Sequence, residues 1–185
     1  MRKKKLERNN EERYLIVDGE RTSQTPGVVD VLKKALLLFG VVIQTGAFRR
    51  GFTHFLNQNK KEGGRLVSYG IEDNCLNENI VKEIKEAIDT PTRVIVLCNT
   101  EYKKREFQTY APFLKKGDVI MCYYYRDTDE DWWEITEPLN MSPPYTPWKS
   151  EISYDDISEC IEENNLEEFR YDEFTQVMWG AFIKK

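Results

Sequence analysis

Short runs of strand-forming residues alternate with stretches of helical apolar spacing from residue 28 to residue 125, and no other feature restricts the fold of this chain as tightly. In residues 28–39 the apolar positions Val28, Val31, Leu32, Ala35, Leu36 and Phe39 recur at intervals of three and four, which lines them up on one helical stripe. Pro26 leads into that stretch and Gly40 closes it. Residues 41–43, Val-Val-Ile, form a wholly apolar run, as suits a central strand of a parallel sheet covered on both faces. The same reading predicts helices over 52–59, 79–88 and 103–114, and strands over 66–71, 93–98 and 119–125. Pro138, Pro143, Pro144 and Pro147 mark a long loop. Ser153 with Asp156 three residues on resembles a capping box, ahead of a helix whose apolar face is Ile157, Cys160 and Ile161. Residues 169–171 and 176–183 are the last two strand candidates, separated by Asp172 and Glu173.

These elements predict an α/β fold: a mostly parallel sheet with helices on both faces and an antiparallel hairpin at the carboxyl end. With no internal repeat or low-complexity tract, the expected organisation is a basic and polar segment over residues 1–21 followed by one domain over 22–185. A domain of that size buries roughly 70% of the surface of its unfolded chain, so it needs no disulfide or structural metal to fold. Cys75, Cys98, Cys122 and Cys160 lack the spacing of a redox or zinc site, and they read as thiols in a reducing cytosol. No apolar run approaches the ~20 residues of a membrane span, and no signal-peptide core follows the basic residues at the start. A soluble, cytoplasmic protein with no membrane partner is expected.

Charge is unevenly spread. Residues 1–126 carry 23 basic and 16 acidic side chains, whereas residues 127–174 carry 2 and 16. That asymmetry fits either a solvated surface or a region that faces anions. The basic clusters are short and lie on separate elements, so a nucleic-acid partner is not indicated. Lys103 to Glu106, with Glu101, read as a solvated helix face.

In an open α/β sheet the ligand crevice lies at the carboxyl ends of the strands, where the winding reverses. The first such end here is Gln44-Thr45-Gly46-Ala47-Phe48-Arg49-Arg50-Gly51, in which Gly46 and Gly51 permit a tight turn and close approach of backbone to a ligand. Together with Arg93-Val94-Ile95-Val96-Leu97-Cys98-Asn99, Tyr110-Ala111-Pro112-Phe113-Leu114, Lys116-Gly117-Asp118 and Val177-Met178-Trp179-Gly180, this order of motifs resembles the class I S-adenosylmethionine-dependent methyltransferases. The similarity is greatest to the branch of cephalosporin hydroxylase-type and rhamnosyl O-methyltransferase-type proteins, and it spans residues 22–183.

The resemblance implies a Rossmann-like sheet with a final reversed strand and a methyl donor, S-adenosylmethionine, lying over the turn of Gly46, Ala47, Phe48 and Gly51. Gln44 then stands where the family has an acid, Gly70 where an acid holds the ribose, Asn99 where an aspartate follows the fourth strand, and Tyr123-Tyr124 where a His-Asp pair follows the fifth. A neutral residue occupies each of these positions, so no divalent metal is expected. The stretch from Ser68 to Cys75 runs almost directly into a helix, which implies a sheet shortened between its second and fourth strands; a register shift lets Glu72 or Asp73 replace the lost acid.

The implied reaction is methyl transfer to a small polar acceptor, a hydroxyl in the first instance, with catalysis by positioning. The alternative is a catalytically silent methyltransferase fold kept as a binding or interaction module. His54, the one histidine, is the candidate general base, or else a packing or surface residue. Tyr123 to Tyr125 read as a stacking surface or as core, and Trp132, Trp133, Tyr145 and Trp148 as a lid or as local packing.

Overall fold

The computed structural model describes residues 16–17, 19–22, 24, 27–47, 50–123, 125–126 and 152–185. Two short strands, β1 (Ile16–Val17) and β2 (Glu20–Arg21), pair antiparallel ahead of the main body. There follow α1 (Val28–Leu36), β3 (Val41–Ala47), α2 (Arg50–Asn59), β4 (Arg65–Gly70), α3 (Glu78–Ile88) and β5 (Val94–Cys98). Next come α4 (Lys103–Tyr110), a single 3₁₀ turn (Ala111–Phe113) and β6 (Val119–Tyr123). The remaining elements are β7 (Tyr125–Arg126), β8 (Ile152–Ser153), α5 (Tyr154–Glu163), β9 (Leu166–Glu168), α6 (Tyr171–Thr175) and β10 (Trp179–Lys184).

Six of these strands form one mixed sheet in the order β4-β3-β5-β6-β10-β9. The first four are parallel to one another, whereas β10 is antiparallel to both β6 and β9. It follows that β10 is the one reversed strand and that β9 runs with the rest. Alternate strand residues face opposite cores, because side chains switch sides at every residue. Ile43, Val94, Val96, Ile120, Cys122 and Phe182 pack with α3, α4 and α5. Val42, Ile95, Leu97, Val119, Met121 and Trp179 pack with α1, α2 and α6 on the other face. β5 is buried along its whole length, and each fully buried Val, Ile or Leu contributes roughly 1.5–3 kcal/mol. The expected α/β sheet with helices on both faces is thus present.

The predicted shortening is visible in the topology. The chain passes from β4 through α3 straight to β5 on the far side of β3, so β4 is left as a half-exposed edge strand. The capping box also forms, with the Ser153 amide donating to the Asp156 carboxylate at 3.0 Å. The carboxyl end needs correction. Residues 169–171 and 176–183 were expected to be strands, but β9 occupies Leu166–Glu168, α6 occupies Tyr171–Thr175 and β10 begins at Trp179. Arg170 at φ 51° and Met178 at φ 63° turn the chain on either side of α6. Phe174, fully buried and stacked on Phe169 at 6.2 Å, draws the intervening segment into a helical turn. The two strands still pair antiparallel, joined by α6 instead of a tight turn.

All four cysteines are buried free thiols. Among the described residues no helix is long and apolar enough to cross a membrane.

Candidate functional site

The helix after β3 lies on one face of the sheet and the helix after β5 on the other. The two neighbouring strands therefore send their exits apart, and a crevice opens between them at their carboxyl ends. Right-handed crossovers oblige this: stepping one way along a parallel sheet and then the other puts successive helices on opposite faces.

Gly46 closes β3 at φ +63°, a left-handed conformation that side chains rarely adopt. A Cβ there would lie 2.5 Å from the Asn99 carbonyl oxygen and 2.8 Å from the Thr100 nitrogen, so the turn rests directly on the exit of β5. The β3–β4 register also breaks between Gln44 and Ala47, just where the chain turns into the crevice.

Gln44 is 1% exposed. Its Oε1 accepts from Thr53 Oγ1 at 3.0 Å and Ser68 Oγ at 3.1 Å, while Nε2 has no partner among the described residues. Thr53 and Ser68, with Ala47, Arg50 and His54, line a cavity of about 460 Å³ at the head of α2. His54 is exposed on that helix, and Gly51 is buried in its first turn. At the tip of β4 the Gly70 amide donates to Asp73 Oδ2 at 2.6 Å, which returns a carboxylate to the strand end; Glu72 beside it is exposed. The structure thus brings Gln44, Gly46, Ala47, Gly51, Gly70, Asp73 and Asn99 to the carboxyl ends of three adjacent strands. Phe48, Tyr124 and the tryptophan-bearing segment lie outside the described residues. Tyr123 is core: its ring lies tilted against that of Trp179 with centroids 5.2 Å apart, and the residue is 2% exposed.

One expectation fails here. Lys103 and Glu106, read as a solvated face, are 3% and 0% exposed, whereas Glu101, Lys104 and Arg105 do face solvent. Lys103, Glu106, Phe107 and Tyr110 share one face of α4 at intervals of three and four, and the two aromatic residues turn that face inward. The spacing from Phe107 and Tyr110 was the signal available in the sequence.

Thr45 Oγ1 donates to Glu106 Oε2 at 2.9 Å and accepts from the Asn99 amide at 3.2 Å. Asn99 Nδ2 reaches the Gly46 carbonyl at 3.5 Å. The hydroxyl and amide of Thr100 lie beside the same carboxyl, and the Cys75 thiol lies between it and the Gly46 backbone. Tyr110 donates its hydroxyl to the Cys75 carbonyl. Burial raises the Glu106 carboxyl above its ordinary range, against the lowering effect of these bonds and of Lys103. Burial first and the Glu106 charge second push the Cys75 thiol up to about 12, which leaves it protonated and a poor nucleophile at neutral pH. No group of three His, Cys, Asp or Glu placed to hold a metal occurs among the described residues.

No family model matches the chain. No curated protein is similar to it in sequence. Solved structures are similar in fold. The apo structure of CmcI-N160 superposes with a TM-score of 0.58 at 13% identity, with 99% of this chain and 81% of that one covered. The O-methyltransferase TomG from Streptomyces achromogenes, solved with S-adenosylmethionine, has a TM-score of 0.43 at 12% identity, covering 86% of this chain and 78% of that one. At 13% identity the likeness to CmcI-N160 is one of fold, an open α/β sheet, here with antiparallel carboxyl-terminal strands.

Proposed function

We propose that the crevice binds S-adenosylmethionine and that the protein is a methyltransferase acting on a small polar acceptor, a hydroxyl in the first instance. The observation that carries this reading is the Gly46 turn, packed on the β5 exit at the point where the winding reverses. The residues beside it fit the donor. Ala47 borders the cavity beside the turn and Gly51 stands in the first turn of the helix that follows, the unpartnered Gln44 Nε2 suits a carboxylate, and Asp73 supplies an acceptor for ribose hydroxyls from the tip of β4. Glu72 and Gly70 flank that carboxylate, and Asn99 lines the opposite wall.

When bound, S-adenosylmethionine supplies an electrophilic methyl group. The chain's own part is to orient the acceptor and exclude water, with His54 on the cavity wall assigned to take the hydroxyl proton. No divalent metal enters this proposal, because Asn99 offers one neutral oxygen and Tyr123 lies in the core.

A second reading rests on Gln44 and Asn99, amides at two positions where the resemblance implies acids: a fold that keeps a ligand or a partner without turnover. Calorimetric titration with S-adenosylmethionine and S-adenosylhomocysteine tests the first proposal. Saturable binding that Ala47→Trp removes by filling the cavity is the expected result. No heat and no thermal shift with either ligand refutes donor binding, since a ligand in excess over its Kd must stabilise the folded state. Binding with no methylated product across a panel of hydroxyl acceptors favours the second reading.

A further inference from the structure

We propose that Glu106 is the positioning residue of the crevice, a buried carboxyl through which α4 locks together the β3 turn, the β5 exit and the loop between β4 and α3. Its ligand readout rests on the donor-binding proposal; its structural readout does not.

A fully buried carboxyl is costly unless it is hydrogen-bonded, and packing gives no reason for one here, because Phe107 and Tyr110 already seal α4 against the sheet. The acid instead reaches across to Thr45, the residue before Gly46. The Thr45 hydroxyl has one proton and two acceptors in range, Glu106 Oε2 at 2.9 Å and the Leu97 carbonyl at 3.2 Å. Donation to the nearer one leaves its lone pairs to receive the Asn99 amide. A directed chain results, from Asn99 through Thr45 to Glu106, and it holds β5's exit at the close approach that only a glycine at position 46 allows. Glu106 Oε1 has no hydrogen-bond partner among the described residues, with the Thr100 and Cys75 side chains close enough to bear on its charge, and Tyr110 on the same helix ties down the loop between β4 and α3 through the Cys75 carbonyl. Lys103 and Tyr110 on α4, and Cys98 on β5, are the other titratable groups facing it.

The test compares Glu106→Ala, Glu106→Gln and Thr45→Val by amide hydrogen exchange and by titration with S-adenosylhomocysteine. Glu106→Ala and Thr45→Val should each speed exchange at the Asn99 amide about tenfold or more, the scale of one lost buried hydrogen bond, while Ile120 and Phe182 in the β6–β10 ladder keep their protection. Glu106→Gln retains an acceptor for the Thr45 hydroxyl and should restore both exchange and affinity. The double variant Glu106→Ala/Thr45→Val should be no worse than either single change, since both break one chain. Unchanged exchange at Asn99, or an equal loss of protection at Ile120 and Phe182, would overturn the inference. If Asn99 loses protection as expected while S-adenosylhomocysteine fails to bind even the wild type, the positioning role stands and donor binding falls.

Discussion

Replacing Gly46 and Gly63 by alanine, one at a time, separates backbone strain from steric collision. Both glycines sit at positive φ, +63° and +70°. An alanine in the left-handed region costs about 1–2 kcal/mol at either site. The restriction it places on the unfolded chain returns about 0.4–1 kcal/mol at either site. There the likeness ends. A Cβ at Gly63 has nothing within 4 Å, whereas at Gly46 it would meet Asn99 O, Asn99 C and Thr100 N at 2.5, 2.7 and 2.8 Å. All three are backbone atoms, so no side chain can swing aside. Relief requires β5's exit to retreat, which overpacking data put at about 1–3 kcal/mol. The retreat also stretches the Asn99 to Thr45 bond, already 3.2 Å, at a further cost of about 1 kcal/mol. Gly46→Ala should therefore destabilise by about 3–5 kcal/mol and Gly63→Ala by about 1 kcal/mol. Equilibrium urea unfolding with a shared slope measures both. Two midpoints that coincide would show that the Gly46 turn does not rest on Asn99, and the crevice geometry would have to be redrawn.

Burial raises the Glu106 carboxyl, so in the window between the ordinary glutamate value and the raised one the folded chain keeps a proton that the unfolded chain has lost. Stability relative to Glu106→Gln should thus fall as pH rises from about 4.3 and level off above the folded value, as unfolding at a series of pH values would show; a relative stability that climbs with pH contradicts the assignment. Asp118, fully buried, accepts from the Val94 amide at 2.8 Å and from Lys115 Nζ at 2.9 Å at the end of the sheet away from the crevice. Asp118→Ala should cost about 3 kcal/mol in urea unfolding, and ligand titration well below the midpoint should remain unchanged. Ser153→Ala removes the cap of α5 and should cost about 1 kcal/mol, with Tm as the measure. Adding a chelator should leave S-adenosylhomocysteine affinity unaltered, and a loss would point first to Glu72, Asp73 and Glu101 as misjudged ligands.

The apolar runs at 41–43 and 93–98, the helical stripe from Val28 to Phe39 and the box of Ser153 and Asp156 were legible in the sequence, because hydrophobic period and capping are properties of neighbours along the chain. They were enough to determine the α/β sheet and the place of the Gly46 turn, whereas the sheet's shortening after β4 was legible only through the resemblance to a family with a further helix and strand there. Periodicity misled where two signals competed: Phe169 and Tyr171 alternate like a strand, but the pull of Phe174 into the core bends that segment into α6. The polar contacts were less legible. Asp73 was a candidate in the sequence, but its turn back to the Gly70 amide depends on the geometry of one exposed loop. Whether Glu106 is solvated or buried depends on Thr45, a partner 61 residues away that only the closed sheet brings within 2.9 Å. The spacing of Phe107 and Tyr110 marks the inward face of α4, but the desolvation of a charged side chain on it and the bonds that compensate exist only once the tertiary structure has chosen what stands opposite.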